Sequence, residues 1–538
     1  MRKSPALPPW RGRTAFLLRA AVRRPFALAL GLCLGLSLPA CDLGAGDEAG
    51  DLLRVTHVAD EGLDVAPRSD RERFAEAATH VGLTAYAPDG RIVPGLATSW
   101  RVLDDGRTYV FKLREAYWPD DRQILAGDVV AVLRRQVAPG GSSPWRRYLR
   151  DIEGAVAVAA NRAPARMLRV DDPRPDTVTI ELSQQNPNLL AILAQPSLAI
   201  IRSRDNPPPP SGAYVARYED GELRALTPNP DYYGRDERDE LETLLLEPET
   251  ETEAAIAAFE ADATDLVLGG STGGLFRVRT DELAPALRLA ESWGIYGYLA
   301  RTAAPSPLAD PRVRQALAMS IDRQTIIGGV FALSGMQPAF GPLPPTLPAA
   351  YAGAVPDWAV WTQADRIAEA RRLLAEAGYG PETPLRIDAA LPRGEAHRRL
   401  LAAIADQWAP LGIRVRGFRR SAAGHRQAIE DGEFDLAAVE RISPVPVADY
   451  FLRPFRCEVR LGGFCDPDAD ALMSEADAAL DLGTRIEKAR RAARVLADDA
   501  PLIPVFSPVH WILVRPGITG VEANVPGMHP PRYLDDGR

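Results

Sequence analysis

"GLTAYAPDGRIVPGLATSWRVLDDGRTYVFKLREAYWPDD", residues 82–121, holds two turn signals, each set between apolar runs. Pro88-Asp89-Gly90 and Asp104-Asp105-Gly106 are turn chemistry, because Pro pre-sets φ, Asp bonds nearby backbone and Gly accepts positive φ. After the second turn Tyr109, Phe111 and Leu113 alternate with Val110, Lys112 and Arg114. A period of two with one apolar face predicts a hairpin of half-buried strands. "GDVVAVLRRQV" follows as a helix, with Asp128 favourable near its positive N-terminal end.

Beyond this stretch the period lengthens. "QADRIAEARRLLAEAG" sets Ile367, Ala370, Leu374 and Ala377 on one helical face and ends at Gly378. "LRIDAAL" reads as a strand. "AHRRLLAAIADQWAPLG" reads as a helix presenting Leu400, Leu401, Ile404 and Trp408. Then "IRVRGF" is a strand, "AGHRQAIEDG" a helix and "FDLAAV" a strand. Two helices near 468–481 and 484–498 precede the last strands, "LIPVF" and "HWILVR". Alternating helix and strand predicts an α/β architecture of open sheets covered by helices, with ligands at the carboxyl ends of the strands. "PPPP", Pro207 to Pro210, is a stiff connector, expected where an inserted subdomain returns to its lobe.

The chain has 538 residues, of which 46% are hydrophobic and 25% charged, enough for two to four domains or two large lobes with sizeable cores. Net charge is −9, unevenly spread. Residues 1–40 hold seven basic residues and no acidic one, so the remainder of the chain falls to −16. An acidic body argues against nucleic acid as a partner. After the basic flank, "FALALGLCLGLSL" from Phe26 to Leu38 is apolar but short for a membrane span, and reads as the core of an export signal. "LPAC", Leu38 to Cys41, resembles a bacterial lipobox, whose Cys is lipidated and becomes the new N-terminus. The alternative is a plain signal peptide with Cys41 a bystander. "DLGAGDEAGD" at 42–51 then reads as a flexible tether. In an exported protein disulfides persist, and Cys457 with Cys465 is the pair left to bridge, unless both stay free thiols. The six histidines are scattered and cluster with neither cysteine, so no metal site is expected.

Gly82-Leu83-Thr84, Pro94-Gly95-Leu96-Ala97, Ser99-Trp100, Asp104-Asp105-Gly106, Thr108-Tyr109, Leu113-Arg114 and Asp128-Val129-Val130 occur in the order seen in one family. By these residues the chain resembles the family 5 extracellular solute-binding proteins of bacterial ABC importers. Further similar runs are "SGAYVARYEDGELRALTPNPDYYG", "DPRVRQALAMSIDR" and "ARRLLAEAGYG", so the likeness spans roughly 52–515. The resemblance implies a two-lobed, type II periplasmic-binding-protein-like fold: mixed sheets flanked by helices, a hinged cleft, and an extra subdomain in lobe 1. The expected layout is signal peptide 1–40, tether 41–51, lobe 1 at 52–297 with the insertion at about 83–206, lobe 2 at 298–500, and a return to lobe 1 at 501–538. The implied function is capture of a peptide or another small polar solute by hinge closure, and its delivery to permease subunits. The implied protein is a monomeric lipoprotein, periplasmic or on the cell surface, without cofactor.

"LVLGGSTGGLF", residues 266–276, tests that reading, because Gly269, Ser271 and Gly273 satisfy the G-x-S-x-G elbow of serine hydrolases. An elbow needs a helix directly after its Ser, whereas the next helix start here is read at Thr280. His510 or His529 stands in the order such an enzyme would need. The rival reading makes Gly270, Ser271 and Thr272 a loop whose backbone approaches a bound solute, and no catalytic residue is then expected. In peptide-binding members a carboxylate meets the ligand's amino group in a segment corresponding to "VERISPVPVADYFL". The matching position here is Pro444, so Glu440 or Asp449 would have to substitute. Arg441 and Arg301 instead offer positive charge, better suited to an anionic or capped ligand. Trp293, Tyr296 and Tyr298 read as core before ligand cage, and Trp358 and Trp361 likewise. Besides the exported hydrolase, a family member that senses or scaffolds without delivering cargo remains a rival.

Overall fold

The computed structural model describes residues 52–59, 69–140, 143–202, 205, 207–235, 242–333 and 335–537. The expected signal peptide, the tether and Cys41 lie outside the described residues.

Two mixed sheets carry the two lobes. The first has seven strands in the order Leu287–Glu291, Val509–Val514, Leu266–Gly270, Leu52–His57, Thr243–Leu246, Glu222–Pro228, Tyr214–Glu219. Leu52–His57 lies between two parallel partners, so its residues from Leu53 to His57 are buried apart from Arg54. The second has six strands in the order Gln337–Pro338, Leu502–Ser507, Gly294–Ala300, Leu436–Ile442, Leu385–Pro392, Ile413–Arg420. Helices Gln363–Glu376 and Glu395–Trp408 pack against this sheet through Ala370, Leu374, Leu400, Ile404 and Trp408.

The opening stretch builds a separate four-stranded antiparallel sheet in the order Ala97–Leu103, Thr108–Leu113, Thr177–Glu181, Val170–Arg174. Tyr109, Phe111 and Leu113 are buried while Lys112 is exposed, which is the alternation read from the sequence. The Pro88-Asp89-Gly90 turn joins the short pair Thr84–Tyr86 and Ile92–Pro94, with Gly90 at φ 81. Helix Ala126–Val137 closes the subdomain's own core through Val129, Val130 and Leu133. Cys457 and Cys465 are joined as a disulfide.

One antiparallel ribbon belongs to both large sheets. Leu287–Glu291 pairs with Val509–Val514 in the first sheet; the same two chain segments continue as Gly294–Ala300 and Leu502–Ser507, paired in the second. The two segments pass from one sheet to the other at Ser292-Trp293 and at Pro508. A strand's membership is decided by which sheet its backbone completes, and that is invisible in a local pattern. At the crossing, buried Ser292 donates from Oγ to the carbonyl of Pro508 at 2.7 Å, and Ser507 Oγ donates to the carbonyl of Gly294 at 2.8 Å.

Inside lobe 1, three strand and loop histidines surround one carboxylate. Burial pushes His57 down to about 3 and His510 and His529 to about 4, and Asp70 opposes this in all three. Among the described residues, both ring nitrogens of His57, Nε2 of His510 and Nδ1 of His529 lack hydrogen-bond partners. In the unfolded chain these rings take up a proton near the ordinary value of 6.5. Between that value and about 4 the unfolded state binds more protons than the folded state, so stability falls as pH drops. We expect thermal melts to lose about 1–3 kcal/mol per histidine between about pH 7 and about pH 4.5, and His57→Phe to flatten that slope.

Strand Leu266–Gly270 packs face-on against Trp511: a Cβ placed on Gly270 would lie 2.0 Å from the indole. The ring is fully buried and its Nε1 donates to the Ser271 carbonyl at 2.7 Å, so it has no room to swing away. Gly270→Val should cost about 1–3 kcal/mol in urea unfolding, the usual penalty of overpacking.

Candidate functional site

The lobes meet where the loop after Leu266–Gly270 faces the carboxyl ends of Leu385–Pro392 and Leu436–Ile442. The loop does not follow the sequence expectation. A 3-10 turn, Thr272–Gly274, and a helical turn, Leu275–Val278, start directly after Ser271, while the residues after Thr280 form turns. Leu275 and Val278, three apart and both buried, hold the short helix down. Pro285 denies the helical region to Ala284 and stops a helix forming after Thr280.

This brings strand, Ser and helix into sequence, as an elbow would. Ser271 itself is at φ −123 and ψ −170, ordinary extended backbone, not the sharp strained turn that presents a nucleophile. Gly270 and Gly274, outside the motif positions, serve packing. A Cβ on Gly274 would come within 2.5 Å of both Thr252 and Trp511, so the loop lies flat against the indole. His510 points elsewhere, its ring lying against Gly527.

Across the seam, Glu440 sits on the second sheet opposite Tyr296. It is 4% exposed and its Oε1 accepts from the backbone N–H of Thr272 at 3.5 Å, a long bond that ties the two lobes together. Thr272 is fully buried, and its hydroxyl finds no partner among the described residues. Behind Glu440, the Tyr296 hydroxyl and His397 Nδ1 are 2.8 Å apart with their rings stacked. Tyr296 and Tyr298 are core, as is Trp358; Trp361 is exposed and Trp293 half-buried. A space of about 110 Å³ opens beside the seam, lined by Glu251, Thr252, Gly273, Pro392, Arg393 and Gly394. Arg393 meets Glu251 at 3.3 Å at its rim, both exposed, a pair worth well under about 1 kcal/mol.

The other sequence candidates go to different places. Arg441 donates to the carbonyl of Tyr450 at 2.8 Å and lies 4.7 Å over that residue's ring, inside its own lobe. Arg301 ends the strand that begins at the crossing, with its amide bonded to Asp435. Since Ile295 pairs with Arg441, Arg301 stands six residues away, about 20 Å at strand rise. Asp449 is paired with Arg147 of the inserted subdomain at 2.7 Å. At Pro444 the side chain offers nothing, yet its carbonyl accepts from Tyr86 at 3.5 Å, and that of Pro446 from Asn188 at 3.4 Å. The segment after Leu436–Ile442 is thus clasped by the subdomain through its backbone.

Sequence reasoning missed that clasp. Arg147–Asp449, Arg150–Asp477 at 2.5 Å and Arg485–Asp151 at 3.0 Å all join the subdomain to lobe 2. They surround a cavity of about 350 Å³. The partners are separated by 302 and 334 residues in the first and last pairs, and arginine-rich composition hides such pairs among dozens of surface ones.

With this geometry in hand, comparison with known proteins is specific. Over 463 residues the chain is 26% identical to the periplasmic oligopeptide-binding protein OppA of Escherichia coli, covering 83% of this chain and 84% of that protein. It is also 26% identical over 462 residues to the periplasmic murein peptide-binding protein MppA of the same organism, covering 83% and 85%. The fold matches the crystal structure of Haemophilus influenzae OppA in complex with RPPGFSPFR, with a TM-score of 0.73 at 22% identity, over 90% of this chain and 99% of that one. The family model for bacterial extracellular solute-binding proteins, family 5, matches residues 91–461. Two lobes on a shared ribbon, closed over a glycine-rich seam, are therefore the build of a solute-binding protein, and this chain belongs to family 5 of the bacterial extracellular solute-binding proteins.

Proposed function

We propose that this protein is the extracytoplasmic solute-binding component of an ABC importer, and that it captures a peptide between its lobes and delivers it to a membrane permease. The observation that carries the reading is the seam: a buried carboxylate from one lobe closing on a backbone amide of the other, next to an unpaired hydroxyl. Relatives named for binding oligopeptides and murein peptides support the ligand class. Closure is favoured only by contacts that the closed state makes better than the open state. Glu440 with the Thr272 amide is such a contact, and a solute that supplies a cation there gains more than the amide does.

This assigns the roles left open by Pro444. Glu440 takes the ligand's amino group, and the amides of Gly270 to Thr272, with the Thr272 hydroxyl, take its backbone oxygens in the manner of an added strand. Asp449 and Arg441, held by Arg147 and Tyr450, build walls; Arg301 stays outside the site. Ser271 does no chemistry. The N-terminal residues export the chain, and lipidation at Cys41 holds the monomer at the membrane.

The test is a thermal-shift and calorimetric screen of di-, tri- and oligopeptides with free and acetylated amino ends. A bound peptide at a hundred times its Kd should add about 2.7 kcal/mol of stability. We expect free-amine peptides to bind, acetylation or Glu440→Gln to weaken them about tenfold or more, and Ser271→Ala to change nothing. Binding indifferent to the amino group and to Glu440 would remove this assignment; ester hydrolysis lost in Ser271→Ala would replace it with catalysis.

A further inference from the structure

The cavity between the inserted subdomain and lobe 2 is not the seam, and its chemistry differs. Its charged lining is Arg147, Arg150, Arg456 and Arg485 against Asp151, Asp449 and Asp477. Asp449 and Asp151 each serve one guanidinium, but Asp477 is shared: Arg150 binds one of its oxygens at 2.5 Å and Arg456 the other at 2.6 Å. One guanidinium charge is left over. Arg456 is 8% exposed, and its Nε–H has no hydrogen-bond partner among the described residues. A buried guanidinium donor left unmade is costly unless something completes it.

A second orphan complements it. Gln184 is 6% exposed, and its Nε2 donates to Asp151 while its Oε1 accepts nothing among the described residues. The rest of the wall mixes apolar Leu452, Met473 and Ile486 with Asn186, Asn188, Tyr148 and Tyr351. A neighbouring groove is charged the same way. An open groove of about 760 Å³ shares Arg147 and Arg150 with the cavity and adds Arg146 and Arg453 against Glu458.

We propose that this cavity is a second binding site, for a small carboxylate that carries an N–H and an apolar body, such as an N-acyl amino acid or the carboxyl end of a peptide. The carboxylate answers the surplus guanidinium at Arg456, the N–H answers Gln184, and the body lies on Met473, Leu452 and Ile486. A single surplus positive charge suits one carboxylate; a doubly charged phosphate would overshoot it and leave its surroundings net negative. Guanidinium forks match carboxylate geometry, and the cationic groove raises the local concentration of anions. Because the three ion pairs that wall the cavity each join subdomain to lobe 2, an occupant is held by both and favours their closed arrangement.

Arg456 and Gln184 take no part in the seam, so the test of this site is separable from that of the seam. The probe is N-acetyl-L-leucine, with N-acetyl-L-leucinamide as the uncharged control, titrated calorimetrically into the full-length protein up to about 1 mM. The expected result is saturable binding of the acid, at least about tenfold weaker binding of the amide, and acid binding that persists in Glu440→Gln. Arg456→Gln should abolish it. Because that substitution removes a buried charge, Ala476→Leu serves as the second variant: it fills the cavity, leaves every charge in place, and should also abolish binding in a protein that melts normally. Competition by Leu-Leu-Leu would identify a peptide's carboxyl end as the natural source, and its absence a separate small acid. Equal affinity for acid and amide, no saturable binding of the acid, or acid binding unchanged in Ala476→Leu would each overturn the proposal.

Discussion

Two segments of backbone, 287–300 and 502–514, run antiparallel through both lobes, and the rest of the architecture depends on that ribbon. Its hydrogen bonds are satisfied on either side of the crossing, so neither sheet needs to open for the lobes to rotate. Only the residues between the paired stretches must absorb the change, and these are Ser292, Trp293 and Pro508. The Ser292 hydroxyl on the Pro508 carbonyl keeps the two crossings side by side, so a hinge between the lobes would fall at one place.

The glycine-rich loop is shaped by close packing. Trp511 lies in that ribbon, and its buried face leaves no room for a Cβ on Gly270 or Gly274. The motif glycine Gly269 answers a different need, a backbone at φ 82 lying against Asp70. The same close packing brings the loop's backbone to the edge of lobe 1, where the amide of Thr272 reaches Glu440. A burial requirement within one lobe thereby creates the hydrogen-bonding edge that the other lobe closes on.

Closure is distributed unevenly. At the seam the described contacts are a long bond from Thr272 to Glu440 and the exposed Arg393–Glu251 pair, whereas the inserted subdomain contributes three arginine–aspartate pairs, half-buried and partly bidentate. Pairs of this kind recover little beyond their desolvation cost, so they orient the lobes without locking them shut. A solute then decides the balance, as a protein that must also release its cargo requires.

Much of the fold was legible because local chemistry repeats over short distances. Turn residues at 88–90 and 104–106, the alternation of Tyr109, Phe111 and Leu113, and the helical stripe of Leu400, Ile404 and Trp408 each need only their neighbours to be read. Family membership was legible too, since its motifs are ordered along the chain. Less was legible wherever two distant segments decide together. The sheet that strands 294–300 and 502–507 would join, the helical turn after Ser271, the retirement of Arg441 onto Tyr450, and the choice of Asp449 by Arg147 all depend on partners far off in sequence. The amino-acid order by itself determined most of the elements and the family; tertiary structure alone decided which charges meet. The reason is physical: periodicity is a property of adjacent residues, whereas a salt bridge or a buried orphan exists only once two remote surfaces have been brought within hydrogen-bond reach.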